Sequence, residues 1–316
     1  MKVSILLPVY NAEYTIKETI DSILNQTYSD FDVVIINDGS SDNSEQTILE
    51  YKDKRIHYYK NESNKGLIYT LNRGIELCKG KYIVRIDADD IMLPTRLEEQ
   101  IKFMEEHPTI VASGSAVIKF FPDGKQKIYT PPLKSQVIKY KILLGSPIPH
   151  PSAIIRREIL LKYNIRYDIN YIHAEDYKFW YDLSKIGLLA NIRKPLIMYR
   201  CSTEQVSQKH KETQNRTSCK IKELILKDFL NGIEIPSTID ISYIRNLSKK
   251  LKNNNRNSII LFLLLMSQKH YNFQSFLGFI GSLIYIRKGF NWKLLSAILW
   301  KYLNHNILNQ FNIRQE

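Results

Sequence analysis

Four short runs, Val3 to Val9, Asp32 to Asn37, Arg55 to Tyr59 and Tyr82 to Ile86, read as strands, and the first, second and fourth are almost unbroken apolar sequence. Strands apolar on both faces belong inside parallel sheets covered on either side. Between them lie segments of helical period: Asn11 to Asn25, with Ile16, Ile20, Ile23 and Leu24 on one face, then Ser44 to Tyr51, then Ile68 to Cys78, stopped at Gly80. Alternation of this kind predicts an α/β, Rossmann-like domain, a right-handed and mostly parallel sheet with helices on both faces.

The fourth run ends in chemistry. Asp87, Asp89 and Asp90 follow it within four residues, before Pro94 opens a predicted helix. Carboxylates crowded at the end of a buried strand repel one another and are costly to desolvate without a positive charge among them. Strand ends are where open α/β sheets bind ligands, and hard oxygen donors suit Mg²⁺ or Mn²⁺. The alternative is structural: turn hydrogen bonds from Asp87 and Asp89, and a helix cap from Asp90.

Beyond Pro94 the pattern predicts a helix to about His107, a strand over Ile110 to Phe121, a turn at Asp123-Gly124 and a helix over Leu133 to Leu144. Pro147-Ile148-Pro149-His150-Pro151 excludes regular helix, Ser152 to Ile155 reads as a short strand, and Glu175 to Ile186 as a helix with Glu175 and Asp176 in its first turn.

Net charge is +13, and it is unevenly placed. Residues 208–316 hold 17 Lys and Arg against 6 Asp and Glu, while residues 1–207 are nearly balanced. The apolar blocks Ile259 to Met266 and Phe276 to Ile286 are far shorter than the roughly 20 residues of a spanning helix. A basic, apolar helical region fits the inner membrane surface, and equally fits packing on the preceding domain or in a homodimer. Three widely spaced cysteines, Cys78, Cys201 and Cys219, argue against a disulfide framework, and the N-terminus shows no signal-peptide pattern. A cytoplasmic location, peripheral at the inner face of the cytoplasmic membrane, follows as the expectation.

Eight short motifs occur in order: Pro8-Val9-Tyr10-Asn11, Asn37-Asp38-Gly39-Ser40, Asn64-Lys65-Gly66-Leu67, Leu71-Asn72-Arg73-Gly74, Asp87-Ala88-Asp89-Asp90, Pro94-Thr95-Arg96-Leu97-Glu98, His150-Pro151-Ser152 and Ala174-Glu175-Asp176-Tyr177. Together they resemble the inverting family 2 glycosyltransferases of the GT-A fold, across about residues 1–207. The resemblance implies a nucleotide-sugar half over about 1–110 and an acceptor half over about 111–207; residues 208–316, which it does not cover, read from their composition as a separate helical region. It also implies transfer of a hexose or N-acetylhexosamine from a UDP-sugar to a glycan or lipid-linked glycan, in cell-surface polysaccharide or lipopolysaccharide synthesis.

By the same resemblance, Pro8, Val9, Tyr10, Asp38, Asn72, Asp87, Ala88 and Asp89 bind the nucleotide-sugar, with Asp38 accepting from the base. Asp89, with Asp87, holds Mn²⁺ or Mg²⁺ against the diphosphate. Asp176 is the general base, and His150, Glu175 and Arg200 serve the acceptor or support the site. Two departures stand out: Leu71 replaces an Arg common in relatives, with Arg73 or Lys65 as substitutes, and Ser202 replaces a His.

A sugar-phosphate nucleotidyltransferase is the rival reading, but Pro8 to Glu13 has neither the glycine nor the basic residue that a triphosphate loop needs. Nucleic acid is not an expected partner, because the basic charge lies apart from the acidic cleft.

Overall fold

The structure, a computed structural model, describes residues 2–201 and 210–230. The chain divides into two compact units, Met1–Ile221 and Lys222–Glu316. The apolar blocks of the basic tail, its membrane or dimer role, and Ser202 all lie outside the described residues.

The first half alternates as predicted: β1 (Val3–Val9), α1 (Ile16–Leu24), β2 (Phe31–Asn37), α2 (Ser44–Leu49), β3 (Ile56–Lys60), α3 (Leu67–Leu77) and β4 (Tyr82–Arg85). β1 is buried along its whole length and pairs in parallel with β2 on one side and β4 on the other, with Val3 level with both Phe31 and Tyr82. β3 extends the parallel set beyond β2. The apolar sides of β1, β2 and β4 pack on Ile16, Ile20 and Ile23 of α1, which explains the helical spacing of those three isoleucines. Because these strands run the same way, Tyr10, Asp38 and Asp87 all emerge at one edge of the sheet.

The second half comprises β5 (Ile91–Met92), α4 (Arg96–Glu106), β6 (Ile110–Phe120), β7 (Gln126–Tyr129), α5 (Ser135–Lys141), β8 (Ile154–Arg156), α6 (Arg157–Lys162), α7 (Glu175–Ile186) and β9 (Leu188–Arg200). Strand order is β3-β2-β1-β4-β8-β6-β9-β5, with β7 hairpinned onto β6. The parallel pairing expected from the alternation therefore holds for β1 to β4. Beyond it, β8 enters antiparallel between β4 and β6, and β6 and β9 run parallel to each other.

Two local expectations change. Pro94 does not open α4 but lies in the turn just before it, after β5, and the residue before the helix is Thr95. Ser152 does not begin a strand: His150–Ser152 forms one 3₁₀ turn, which Pro151 tolerates because the first turn of a helix has no use for its missing N–H. After β9 comes α8 (Lys211–Leu230), a helix inside the region expected to be helical. Among the described residues no helix is long and apolar enough to cross a membrane.

Candidate active site

β4 delivers its acidic loop as a built object. Asp87, Asp89 and Asp90 each offer a carboxylate oxygen, and these three atoms lie within 4.8 Å of one another. Asp90 does not cap a helix. It is fully buried, its Oδ1 accepts the Arg200 backbone N–H at 2.8 Å, and its Oδ2 has no hydrogen-bond partner. Burial, reinforced by Asp87, pushes the Asp89 carboxyl up to about 6, and burial with both neighbours holds Asp90 well above the usual carboxylate range. A buried orphan oxygen beside two crowded carboxylates, all of them hard donors, fits a divalent cation.

Arg85 provides the positive charge already present. Only 3% exposed at the end of β4, it forms a two-armed ion pair with Asp87, one arm at 2.6 Å. Burial opposes its charge most strongly, but Asp87, Tyr167 and Asp90 together outweigh it and its pKa lies above the ordinary value. Arg85 went unnoticed in the sequence because it interrupts an apolar run. Strand alternation was the available signal, since residues two apart project from the same face. Arg200 is turned onto the same loop: its Nε donates to the Asp89 carbonyl at 2.8 Å and an Nη to Glu18 at 2.6 Å, with the guanidinium 4.6 Å from the Phe120 ring centre.

On the β2 side, Asp38 is buried and accepts from Asn61 Nδ2 at 2.6 Å and from the backbone N–H groups of Lys65 (2.9 Å) and Gly66 (2.8 Å). Two carboxylate oxygens carry about four acceptor positions, so one further donor can be accommodated. Gly39 makes this closure possible: its φ is +70°, and a Cβ there would lie 2.6 Å from the Ser63 carbonyl carbon. Arg73 donates to Asn61 and so supports Asp38 at one remove, while Leu71 is wholly buried in the core. Val9 is buried beside Pro8 in β1, and Tyr10 stands about half exposed at the strand end. Asn72 exchanges two hydrogen bonds with the Tyr167 backbone, at 2.8 and 2.9 Å, and lines a cavity of about 610 Å³ with Lys65, Tyr69, Arg166 and Tyr167.

The third group comes from α7. Asp176 accepts the Ser146 hydroxyl at 2.8 Å and the Tyr177 N–H at 2.7 Å; nevertheless burial raises its pKa. Burial, with Asp176 alongside, lifts Glu175 to about 7. His150 pairs with the Tyr167 hydroxyl at 2.8 Å, edge-on to Trp180, and burial keeps it neutral. Tyr167 in turn stacks on Phe179 with ring centres 4.1 Å apart. Ser146 and Tyr167 carried no sequence signal.

These groups share one electrostatic neighbourhood. The Arg85 charge acts on Asp89 and Asp90 and also on Glu175, Asp176 and His150, while Tyr167 feels Arg85, Asp176, Glu175 and Asp87 together. The structure therefore brings the acidic loop, the α7 carboxylates and His150 to one place, with Asp38 and Tyr10 along the same sheet edge.

Similarity to known proteins agrees. Residues 4–163 match the model of glycosyl transferase family 2. An uncharacterised glycosyltransferase of Haemophilus influenzae is 35% identical across 88% of this chain and 90% of its own. The Escherichia coli enzyme WfgD, a UDP-Glc:alpha-D-GlcNAc-diphosphoundecaprenol beta-1,3-glucosyltransferase, is 31% identical across 73% of this chain and 87% of its own. The crystal structure of S. aureus TarS 1-349 in complex with UDP-GlcNAc superposes with a TM-score of 0.59 at 18% identity, covering 90% of this chain and 80% of that one, a likeness of fold. With its mixed sheet, its acidic loop and these matches, the chain is a GT-A glycosyltransferase and belongs to glycosyl transferase family 2.

Proposed function

We propose that the enzyme is metal-dependent and inverting, moving one hexose or N-acetylhexosamine from a UDP-sugar to a hydroxyl of a glycan, lipid-linked as in WfgD, during cell-surface polysaccharide synthesis. The observation that carries this reading is the acidic loop at the end of β4, where three carboxylate oxygens lie within 4.8 Å of one another and the buried Asp90 Oδ2 has no hydrogen-bond partner. Residues 1–110 form the donor half and 111–207 the acceptor half.

In the donor half, Asp38 accepts a hydrogen bond from the base and Tyr10 covers it, with Pro8, Val9 and Ala88 shaping the floor. Asn72 keeps Tyr167 in place between the two halves. Asp89 and Asp87 would hold Mn²⁺ or Mg²⁺, which when bound supplies positive charge to the diphosphate leaving group as its negative charge grows. Asp176 takes the proton of the acceptor hydroxyl while that oxygen attacks the anomeric carbon from the side opposite the diphosphate, a single displacement with inversion. Ser146 fixes the rotamer of Asp176, and Glu175, pointing about 100° away, lies beside the acceptor rather than on the same hydroxyl. His150, kept neutral, orients Tyr167 through its hydroxyl, and Arg200 supports the acidic loop.

Calorimetric titration of UDP tests the reading, with GDP and CDP as controls, first in Mn²⁺ and then in EDTA. Binding selective for UDP and dependent on Mn²⁺ is expected; equal affinity for all three, or no change in EDTA, overturns it. The membrane role of residues 208–316 rests on their charge, and the full chain should float with vesicles rich in anionic lipid and stay behind with neutral ones.

A further inference from the structure

One face of α1 is polar where a helix packed on a sheet is normally apolar. Thr15 at its N-cap, Thr19 and Ser22 within it and Gln26 just past its end are spaced four, three and four residues apart, so that they follow one line along it. Each of the four bonds to the backbone of residues 88–97, the segment that carries the acidic loop. Thr15 Oγ1 lies 2.9 Å from the Ala88 carbonyl. Thr19 Oγ1, fully buried, lies 3.0 Å from that same carbonyl and 2.9 Å from the carbonyl of Asp90. Ser22 Oγ accepts the Met92 N–H at 3.0 Å, and Gln26 donates to the Leu93 carbonyl at 3.0 Å while accepting the Leu97 N–H at 3.1 Å.

The spending of these side chains is unusual. Thr15 occupies the N-cap position of α1, where a threonine hydroxyl normally accepts from its own helix, yet no such bond is made. A hydroxyl has one hydrogen to give: with Thr15 donating to the Ala88 carbonyl, Thr19 donates to that of Asp90, so the two threonines together hold the carbonyls on either side of Asp89. Glu18, between them, ties down Arg200, whose Nε holds the one remaining carbonyl, that of Asp89 itself. Every carbonyl from Ala88 to Asp90 is therefore held by α1 directly or through Arg200.

We infer that this polar row is a jig for the metal-binding loop, and that Thr19 is a positioning residue that fixes where the Asp89 carboxylate points. The inference deepens the metal-dependent reading above and rests on it. Backbone carbonyls crowded beside three carboxylates would otherwise turn to water, and the loop would have to be ordered each time a cation bound.

The test is a Mn²⁺ titration of UDP binding for the native protein, Thr19→Val and Thr19→Ser, with UDP affinity in EDTA as the baseline. Valine keeps the shape and removes the hydroxyl; serine keeps the hydroxyl. Thr19→Val is expected to raise the Mn²⁺ concentration at half-effect by about 10-fold or more, the size typical of lost outer-shell support, leave the EDTA baseline unchanged and speed hydrogen exchange over residues 87–93. Thr19→Ser is expected to behave as native. A folded Thr19→Val with native Mn²⁺ dependence overturns the inference, as does a Thr19→Ser as weak as the valine variant. If Thr19→Val does not fold, Thr15→Val, half-buried at the start of the row, gives the same comparison with a smaller expected shift. Native protein that binds UDP without regard to Mn²⁺ brings down both this inference and the metal reading, whereas a native response shared by the folded Thr19→Val brings down this one alone.

Discussion

Asp176→Asn is expected to lower sugar transfer by on the order of 10²- to 10⁴-fold, the range for loss of a positioned general base, while UDP affinity in Mn²⁺ stays within about twofold. The substitution keeps the size and flat shape of the side chain. Its amide oxygen can still accept the Tyr177 N–H, so α7 should begin as before. What it removes is the ability to take a proton. In the native enzyme the base must be ionised, and burial raises its pKa, so the acid limb of the rate profile should lie above the ordinary carboxylate position near 3.8. The same shift gives a sign for stability. A carboxyl whose folded pKa is raised supports folding below its unfolded pKa and loses that support as pH rises through the folded value. Asp176→Asn should therefore melt no lower than native at pH 8. Transfer at native rate, or a rate and melting temperature that fall together, would remove Asp176 from the mechanism.

Asp89→Ala should abolish the enhancement of UDP binding by Mn²⁺, a loss on the order of 100-fold in apparent Mn²⁺ affinity, larger than the outer-shell effect. Binding in EDTA should survive, because Asp38 and the strand ends lie on another part of the edge. Loss of one charge from three crowded carboxylates should also lower the pKa of Asp90, which Asp89 now helps to raise, and so ease the burial of the loop without metal. The expected signature is thus opposite in the two assays, weaker Mn²⁺ dependence with an unchanged or higher metal-free melting temperature. An unaltered Mn²⁺ titration would reject Asp89 as a ligand.

Much of this site was legible in the chain because the charges themselves are unusual where they stand. Three aspartates after an apolar run, and two acids opening a helix, are visible without any knowledge of contacts. The helix carrying Asp176 was delimited correctly, since Phe179, Trp180 and Leu183 mark its buried face and Gly187 ends it. Asp90 was the harder case: an aspartate four residues before a proline has the chemistry of a cap, but the two-residue β5 pushes the helix out of its reach. β9 had no clear pattern, because Lys194 and Pro195 interrupt it and its register against β6 shifts near Ser115 and Ala116. Asn61, Ser146 and Tyr167 become meaningful only through residues tens of positions away, and no local period announces a pairing of that kind.

The strand order also sets a timetable. β1 to β4 are complete once Arg85 has been made, so the parallel half can assemble early in synthesis. The outer edge of β4, formed by Tyr82, Ile83 and Val84, must then wait for Ile154 to Arg156, about 70 residues or roughly 4 to 14 s at ordinary elongation rates. β5 waits longer, about 100 residues, for Ile197 and Met198. During that interval the nascent chain exposes an apolar edge able to pair with a neighbouring copy. The acidic loop lies between these two late-closing strands, and its last clamp is Arg200. Residues translated among the first hundred thus acquire their working geometry only when almost the whole catalytic domain has left the ribosome.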